Sequence, residues 1–290
     1  MNAAAQWPPE RIAAGVVLYY PGEEDRQLAD VLAGQFEAVF VAENESAVFV
    51  TENPVVHAHL NRENAGLARA INQLCEKARQ SGFEWLVLFD QDSRVPANFR
   101  AGLCECMRVL DAPPALLAAN YETEILGQRF IGYSVGADKP ATELVVALNS
   151  GSMIDLAVHE TIGGHDEDFF VDHVDHEYCL RLAQYGYRVL GTPRPLFRHE
   201  VGNIACVRRF GRVWQSSGHS VERRREWACG LVRLAKRYWS LRPAWVLARL
   251  CVELPRNLLA MLLLERRKAA KLKAVLGGLW RGMLTSGSVR

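Results

Sequence analysis

The stretch Glu84-Trp85-Leu86-Val87-Leu88-Phe89-Asp90-Gln91-Asp92-Ser93 predicts a buried strand that ends in two carboxylates. Its uninterrupted apolar run is typical of a central strand in a parallel sheet that is covered on both faces. In open α/β sheets, ligands lie beyond the carboxyl ends of such strands. Asp90 and Asp92 can therefore both approach one Mg²⁺ or Mn²⁺ ion, since these cations prefer oxygen ligands. An isolated Asp-x-Asp is more often a solvated turn that caps the next helix than a metal site. The apolar strand before it makes a metal site less improbable here.

The segments around this strand predict an α/β fold. Strands and helices alternate through the first part of the chain, which indicates a Rossmann-like, mostly parallel sheet with helices on both faces. Residues 120–143 lack periodicity, so we expect them to cross the active face as irregular chain. After residue 205 we expect helices only, where Pro243 and Pro255 interrupt apolar runs. The other predicted strands are 12–20, 38–41, 47–51, 115–119 and 187–190, and the predicted helices are 23–36, 67–81, 98–110 and 175–185.

Charge is divided unevenly along the sequence. The 290 residues carry a net charge of +1, but residues 1–205 contain 15 Lys/Arg and 29 Asp/Glu, a balance of −14. Residues 206–290 contain 19 Lys/Arg and 4 Asp/Glu, a balance of +15. We therefore expect two regions, an acidic α/β domain at 1–205 and a basic, amphipathic helical region at 206–290. A basic region of this kind indicates an anionic partner, either a membrane surface or a nucleic acid.

The basic region favours a membrane over nucleic acid as its partner. Arg residues there precede Trp227, Trp239 and Trp245 and a Leu-rich segment, a pattern typical of helices that lie in a membrane interface. An ordinary helical subdomain with solvated Arg side chains explains the same pattern equally well. The sequence contains no recognised nucleic-acid-binding motif, so we expect no nucleic acid partner.

Cysteine usage and hydropathy bear on the cellular compartment. The seven cysteines fit no disulfide framework and no zinc motif, so we expect reduced thiols and a cytoplasmic protein. The first residues show neither a basic start nor an apolar core, which predicts no secretory signal. Since no window of about twenty residues is free of charge, we expect no transmembrane helix.

A second cluster of ionisable residues lies at 172–177, where three acids and two histidines begin a predicted helix. The helix dipole favours acids at this position, which explains one of them without any function. A positioned carboxylate such as Asp175 can also act as a general base toward a hydroxyl nucleophile. A metal site is a further alternative, although the spacing fits no standard zinc motif. His199 follows a strand and a Pro-rich turn where the α/β part ends, so it is either an ordinary histidine or a third metal ligand.

Several short motifs follow a fixed order along the chain. They are Asn64-x-Gly66 with Asn72, Phe89-Asp90-Gln91-Asp92-Ser93, Asn149-Ser150-Gly151-Ser152, Phe170-Val171-Asp172-His173-Val174-Asp175 through Arg181, His199-Glu200-Val201-Gly202, and Leu263-Leu264-Glu265-Arg266 to Gly282. Their order resembles that of the inverting family-2 glycosyltransferases of GT-A fold, which use nucleotide-sugar donors. Within that family the chain looks most like bacterial rhamnosyltransferases that use dTDP-L-rhamnose. The resemblance covers nearly the whole chain, and the ordered set with Gln91 between two acids is fairly specific.

The resemblance implies a metal site and a catalytic base. Asp92 corresponds to the residue that binds Mg²⁺ or Mn²⁺ on the donor diphosphate. Asp90 would assist through the ribose or the metal, and His199 would join the metal as it does in some members. Asp175 corresponds to the general base, and Glu177 to an acid two residues further on.

The resemblance also implies a set of donor-binding residues. Asn149, Ser150 and Gly151 would face the sugar and the acceptor, and Arg69 would lie near a phosphate. Glu52 stands where the family often has an Asp that contacts the nucleobase, and this departure leaves that contact open. The full set is Glu52, Asn64, Gly66, Arg69, Asp90, Gln91, Asp92, Asn149, Ser150 and Gly151.

Taken together, the resemblance implies transfer of L-rhamnose from dTDP-L-rhamnose to a cell-surface glycan, lipopolysaccharide or glycolipid at the inner face of the cell membrane. A non-catalytic nucleotide-sugar-binding or scaffold module at the membrane is the main alternative. The presence of Asp92, Asp175 and His199 together argues against it. A nucleotidyltransferase would require a Gly-rich phosphate loop after the first strand, and Gly15 and Gly22 do not form one.

Overall fold

The computed structural model describes residues 11–45, 48–125, 127–136, 138–199, 205–209 and 212–285. The chain divides into two units, Met1–Glu200 and Val201–Arg290. The first unit alternates strands and helices. Its strands are β1 (Ile12–Tyr19), β2 (Val39–Asn44), β3 (Val56–Asn61), β4 (Trp85–Asp90), β5 (Ser93–Arg94), β6 (Leu116–Ile125), β7 (Gln128–Ile131), β8 (Thr142–Glu143), β9 (Ser152–Asp155) and β10 (Val189–His199). Its helices are α1 (Glu23–Ala33), α2 (Leu67–Gln80), α3 (Phe99–Arg108), α4 (Leu156–Thr161) and α5 (Val174–Gln184).

The long strands run parallel, so their carboxyl ends share one edge of the sheet. The strand order is β3-β2-β1-β4-β9-β6-β10-β5, with β7 beside β6 and β8 beside β10. The strands β1 to β4 pair in parallel with one another, and β6 pairs in parallel with β10. Because the short strand β9 lies antiparallel between β4 and β6, those two strands also point the same way. The predicted fold class is confirmed, and Asp90 and His199 both end strands at this edge.

β4 is the central strand that its apolar run predicts. The five residues of the run are at most 4% exposed. Each such side chain stabilises the fold by about 1.5–3 kcal/mol when it leaves water. Val87 and Phe89 face a core that they share with α1 and α3. Leu86 and Leu88 face the other way, toward Leu74 of α2, so helices cover both faces of the strand.

The predicted strand at 47–51 is wrong. Residues 48–51 are irregular chain, held by the carboxylate of Glu43, which accepts hydrogen bonds from the N–H groups of Val48 and Phe49 at 3.1 and 2.5 Å. The third strand is instead β3, whose alternating polar residues suit the exposed edge of a sheet. Apolar composition was misleading because Phe49 packs into the core while Val50 stays 83% exposed.

Two strands extend further than the sequence predicts. Part of the stretch expected to be irregular is regular, since β6 continues to Ile125 and forms a hairpin with β7. β10 does not end at residue 190 but runs on to His199 through two prolines. A bulge between Thr192 and Leu196 permits this, because proline is tolerated where ladder hydrogen bonds are interrupted. The extension carries His199 to the carboxyl edge of the sheet.

The second unit begins with a hairpin, which corrects the expectation of helices alone after residue 205. The strands β11 (Ala205–Arg209) and β12 (Arg212–Ser216) pair antiparallel. The helices are α6 (Val221–Tyr238), α7 (Pro243–Ala248), α8 (Leu254–Leu264) and α9 (Lys268–Leu284), and a π-helical turn, Arg249–Glu253, joins α7 to α8. Pro255 has no N–H to offer the carbonyl of residue 251, which explains the irregular turn. Within the part of the chain that the structure describes, every helix is too short or too polar to span a bilayer.

Buried charges join the elements of the second unit. Glu265 follows α8 and is 6% exposed, and its carboxylate accepts hydrogen bonds from Ser216, Arg224 and Lys271. These partners belong to β12, α6 and α9. Because a buried charge is stable only when it is paired, this network holds the end of α8 against three other elements.

Candidate active site

Two carboxylates lie in the turn between β4 and β5. Asp90 ends β4, and Asp92 precedes β5. The side-chain carbonyl of Gln91 accepts a hydrogen bond from the N–H of Tyr19, at the end of β1, at 2.7 Å. The hydroxyl of Ser150 accepts one from the N–H of Asp90 at 3.2 Å. The turn is therefore held from two sides, while its two acidic side chains stay 40% and 36% exposed.

His199 ends β10 and meets these carboxylates at the same edge of the sheet. The short strand β5 pairs antiparallel with the end of β10, which sets His199 directly opposite Ser93. Nδ1 of His199 lies 3.3 Å from Oδ1 of Asp92, and its Nε2 lies 3.9 Å from Oδ2 of Asp90. The buried imidazole packs edge-on against the ring of Tyr121, with centroids 5.9 Å apart. The three side chains offer ligand atoms that all lie within 4.8 Å of one another.

This group of residues fits a divalent metal ion. Carboxylate oxygens suit both Mg²⁺ and Mn²⁺, and an imidazole nitrogen is a common ligand of transition metals. Oδ1 of Asp92 is buried and accepts no hydrogen bond from the residues that the structure describes, because its approach to His199 lacks hydrogen-bond geometry. A buried carboxylate oxygen needs a partner, and a bound cation would provide one.

The surroundings of Asp90 change its acidity. Although 40% of its side chain is exposed, burial by the surrounding protein raises the pKa of Asp90 to about 6. His199 lowers this pKa, whereas the charges of Asp92 and Asp175 raise it. Asp175 is therefore one of the charged groups that act on Asp90.

Asp175 lies in the first turn of α5. His173 directly precedes α5 and has φ +68°, a left-handed conformation that redirects the chain at the start of the helix. Oδ1 of Asp175 accepts a hydrogen bond from the N–H of His176 at 2.8 Å. Burial raises the pKa of Tyr121, and the charge of Asp175 adds to the rise. Since Asp175 acts on both Asp90 and Tyr121, the structure brings it to the same edge as the predicted metal ligands.

The Asn149-Ser150-Gly151 motif supports the turn that carries the carboxylates. Oγ of Ser150 lies 2.7 Å from Oγ of Ser93, and Asn149 is buried beside it in the sequence. Gly151 has φ +75°, and a Cβ there would overlap the ring of Phe197, so no larger residue fits. These contacts give the motif a structural task, and its implied contact with a donor sugar stays a prediction.

Glu177 is part of a buried ion pair. It is 1% exposed, and its Oε2 accepts a hydrogen bond from Nη2 of Arg181 at 3.0 Å. Arg181 also donates to the carbonyls of Ile162 and Gly164, which follow α4. The pair therefore fixes α5 against the preceding turn. The role of Glu177 as an acid stays a prediction, and this position favours a structural role instead.

Gly66 lies against the segment that leads into α5. Oδ1 of Asn64 accepts a hydrogen bond from the N–H of Gly66 at 3.1 Å, and Leu67 donates to the carbonyl of Phe170 at 2.6 Å. Gly66 has φ +82°, and a Cβ there would lie 2.7 Å from the ring of Phe170. The motif thus joins the start of α2 to the acidic segment, and its contact with a nucleotide stays a prediction.

The remaining predicted site residues stand apart from this group. Arg69, on α2, and Glu52, in the irregular chain before β3, are both exposed. Among the described contacts, no hydrogen bond or ion pair joins either residue to the carboxylates of the metal site. Their roles toward the nucleotide stay predictions. Residues 200–202 of the His199 motif lie outside the described residues.

Two residues of the site have contacts that the sequence did not predict. Tyr121, on β6, contacts the ring of His199, and the charge of Asp175 raises the pKa of Tyr121 further. Ser93 links the carboxylate turn both to Ser150 and to β10. Tyr121 falls in the stretch that the sequence analysis expected to be irregular, so recognition of a continued strand there would have found it.

The fold is that of the GT-A glycosyltransferases, as the resemblance predicted. The structure of GalNAc-T7 with UDP, GalNAc and Mn²⁺ matches with a TM-score of 0.59 at 13% identity, covering 94% of this chain and 56% of that chain. In sequence, the chain is 28% identical over 168 residues to dTDP-rhamnosyl transferase RfbF of Shigella flexneri, covering 51% of this chain and 53% of the relative. The chain thus spans about half the length of each protein. No family model matches it. The predicted resemblance to rhamnosyltransferases is confirmed by the sequence match.

Proposed function

We propose that this chain is a metal-dependent inverting glycosyltransferase. The observation that carries the proposal is the convergence of Asp90, Asp92 and His199 at the carboxyl edge of the sheet, with Asp175 in electrostatic range. Ligands of α/β folds bind at this edge. One group of side chains there suits a cation on a diphosphate, and a separate carboxylate suits proton transfer. The sequence match to a protein named as a dTDP-rhamnosyl transferase supports the same class of reaction.

In the proposed mechanism Asp175 is the general base. It takes the proton of an acceptor hydroxyl as that oxygen attacks the anomeric carbon from the face opposite the nucleoside diphosphate. The new C–O bond forms as the bond to the diphosphate breaks, so the configuration at the anomeric carbon inverts. Positive charge develops at that carbon, as in other glycosyl transfers. General-base catalysis of this kind contributes about 10²–10⁴ in rate.

Asp90, Asp92 and His199 are the proposed metal ligands. When bound, Mg²⁺ or Mn²⁺ neutralises the charge of the leaving diphosphate. Asp92 is the principal ligand in this proposal because its buried Oδ1 has no hydrogen bond among the described residues. Asp90 is the ligand whose charge depends on pH in the neutral range, since its pKa is about 6.

The proposed donor is dTDP-L-rhamnose. The curated relative's name supports this sugar, and the proposed nucleotide-binding residues are Glu52, Asn64, Gly66, Arg69, Gln91, Asn149, Ser150 and Gly151. The proposed acceptor is a hydroxyl of a cell-surface glycan, lipopolysaccharide or lipid-linked molecule. The proposed site of sugar transfer is the inner, cytoplasmic face of the membrane, where a lipid-linked acceptor would be accessible.

The deciding experiment is incubation of the full chain with a panel of nucleotide sugars, with Mn²⁺, with Mg²⁺ and with a chelator. Thermal unfolding reports donor binding, and release of nucleoside diphosphate reports turnover. We expect dTDP-L-rhamnose with metal to raise the unfolding temperature more than UDP- or GDP-sugars do. Diphosphate release should stop in the chelator.

The result also separates the two classes of function. A donor that protects the chain without any diphosphate release, even with glycan and lipid-linked acceptors, would indicate a non-catalytic binding module. Protection by no nucleotide sugar would end the proposal.

A further inference from the structure

The second unit exposes an apolar stripe along the helical stretch from α7 to α8. Within α8 the exposed leucines follow Leu259 at intervals of three and four residues, which places them on one face of the helix. Ala260 and Met261, on the other side of α8, are buried within the unit. The stripe therefore faces outward. Its members, each 38% to 65% exposed, are Leu247, Val252, Leu259, Leu262 and Leu263.

A second apolar stripe lies on α9. Its members, each 53% to 70% exposed, are Leu276, Trp280, Met283 and Leu284. Intervals of four and three place them on one face as well. The opposite face of α9 packs closely on α6, because a Cβ at Gly278 would overlap the backbone of Arg225. One face of α9 is thus used for folding, and the other is left for a partner.

Exposed apolar residues that share one helix face are informative, because large apolar patches on soluble proteins mark interaction sites. The charges of the same unit indicate what kind of partner fits. Residues 206–290 carry a balance of +15. Exposed basic side chains adjoin both stripes in the sequence, namely Arg256, Arg266, Arg267, Lys268 and Lys273. An apolar face with basic flanks suits a surface that is both apolar and anionic.

We propose that the two stripes lie on an anionic phospholipid membrane, with α8 and α9 parallel to its plane. Leu and Met side chains would enter the boundary between headgroups and acyl chains, and Trp280 suits that depth because its ring is amphipathic. Lys and Arg side chains would contact lipid phosphates, as basic segments near anionic leaflets do. A second copy of the chain fits less well, since two units of like charge would repel each other.

The surface differs only in part from the one that the sequence suggested, since Trp239 is 50% exposed. Trp227 packs against the apolar core of the second unit, and Trp245 lies under the guanidinium of Arg249, 4.8 Å from the ring centroid. Trp280 and the exposed leucines therefore form the proposed membrane surface in place of Trp227 and Trp245. The proposal does not rest on sugar transfer, since a chain that transfers no sugar can still bind a membrane in this way.

The test is sedimentation of the full chain with vesicles of phosphatidylcholine alone and of phosphatidylcholine with phosphatidylglycerol. We expect binding to the anionic vesicles, weaker binding to the neutral ones, and loss of binding as salt rises. The double variant Leu276→Ser/Trp280→Ser should bind the anionic vesicles about tenfold more weakly, since it removes apolar area from the membrane face. Arg266→Glu/Lys273→Glu should weaken binding by about tenfold as well.

A matched control keeps the result interpretable. Val50 and Val109, in the first unit, are 83% and 59% exposed, so Val50→Ser/Val109→Ser removes two exposed apolar side chains elsewhere. This control should bind vesicles like the wild type, and circular dichroism should show that all variants are folded.

Equal vesicle binding by the stripe variant Leu276→Ser/Trp280→Ser and the wild type would overturn the proposal. So would a wild type that ignores anionic vesicles but forms a dimer that the stripe variant disrupts, which would assign the face to a second copy. Thermal protection by a nucleotide sugar should be the same in the stripe variant and the wild type. Membrane binding and the proposed sugar transfer are thereby tested independently.

Discussion

Nδ1 of His199 lies 3.3 Å from Oδ1 of Asp92, although Asp92 follows the central strand of the sheet and His199 ends its last long strand. The contact depends on β5, whose two residues pair with the end of β10. A short antiparallel strand thus brings a local acidic motif together with a remote imidazole. The acidic motif alone and the histidine alone are each weak evidence for a metal site. The support for a bound cation comes from the proximity of the three side chains.

Replacement of His199 by Asn should weaken Mn²⁺ binding by at least about tenfold. Even residues that only orient metal ligands typically cost about 10–100-fold in affinity when they are mutated. Isothermal titration with Mn²⁺ measures the change. His57→Gln serves as the control, because His57 is an exposed histidine on β3. Equal affinities for wild type and His199→Asn would remove His199 from the metal site.

Acidification should release the metal through Asp90. Its pKa is raised to about 6 from an ordinary value of 3.8, so the carboxyl group holds its proton more tightly in the folded state than in the unfolded chain. Protonated Asp90 therefore stabilises the metal-free fold at low pH, and this contribution is lost as the pH rises through about 6. Metal affinity should change in the opposite direction, because the metal requires the ionised carboxylate.

Thermal unfolding without metal can check this sign. Between pH values below and above 6, the wild type should lose stability relative to Asp90→Asn, and Mn²⁺ should restore it at the higher pH. A wild type and variant that follow parallel pH curves would contradict the assignment of the raised pKa to Asp90.

Asp175→Asn should abolish sugar transfer while leaving donor binding nearly unchanged. The amide keeps the shape of the side chain but cannot accept the proton, so the rate should fall by about 10²–10⁴. Diphosphate release and thermal protection by the donor report the two properties separately. Asp168→Asn, at an exposed acid in the same segment, is the control. Normal turnover by Asp175→Asn would mean that another group is the base.

Gly66→Ala should destabilise the fold more than Gly186→Ala. The two glycines have φ +82° and +81°, so the left-handed conformation penalises alanine equally at both, by about 1–2 kcal/mol. At Gly66 the new Cβ also meets Phe170, whereas at Gly186 no described atom lies within 4 Å. Urea unfolding should show a further loss of about 1–3 kcal/mol at Gly66, typical of overpacking. Equal losses would mean that Phe170 moves aside freely.

Arg181→Met should cost about 3–5 kcal/mol of unfolding free energy, because it breaks the buried ion pair between Arg181 and Glu177. Arg79→Met provides the contrast, since Arg79 and Glu76 form an exposed pair on α2 and such pairs contribute about 0–1 kcal/mol. The double variant Glu177→Met/Arg181→Met should recover part of the loss. No recovery in urea unfolding would mean that the carbonyl contacts of Arg181 dominate its effect.

The sequence was sufficient for the central strand and for the acids beside it. An unbroken apolar run can be satisfied only where both faces of a strand are covered, so β4 and the position of Asp90 and Asp92 followed from composition. The same logic failed at 47–51, where an apolar run is divided between the core and solvent by hydrogen bonds to Glu43. Side-chain hydrogen bonds to the backbone compete with strand pairing, and composition does not reveal them.

The remote parts of the site could not be predicted from local pattern. His199 was a candidate from its position in the chain, but its approach to Asp92 depends on strand pairing that the prolines of β10 conceal. The partner of Glu177 was equally hidden, because Arg181 was recognised only as the end of a motif. The contact of His199 with Asp92 and that of Glu177 with Arg181 form in the folded structure, and local sequence pattern does not indicate either of them.

The two-residue strand β5 has a consequence for how the protein is made. A ribosome releases both acids of the Asp-x-Asp turn long before it releases the end of β10. A nascent chain at that stage has the two carboxylates of the candidate metal site but lacks the imidazole, and its central strand still lacks β9, one of its two neighbours. Tight binding of a cation at the proposed three-residue site would therefore require the last long strand to be in place.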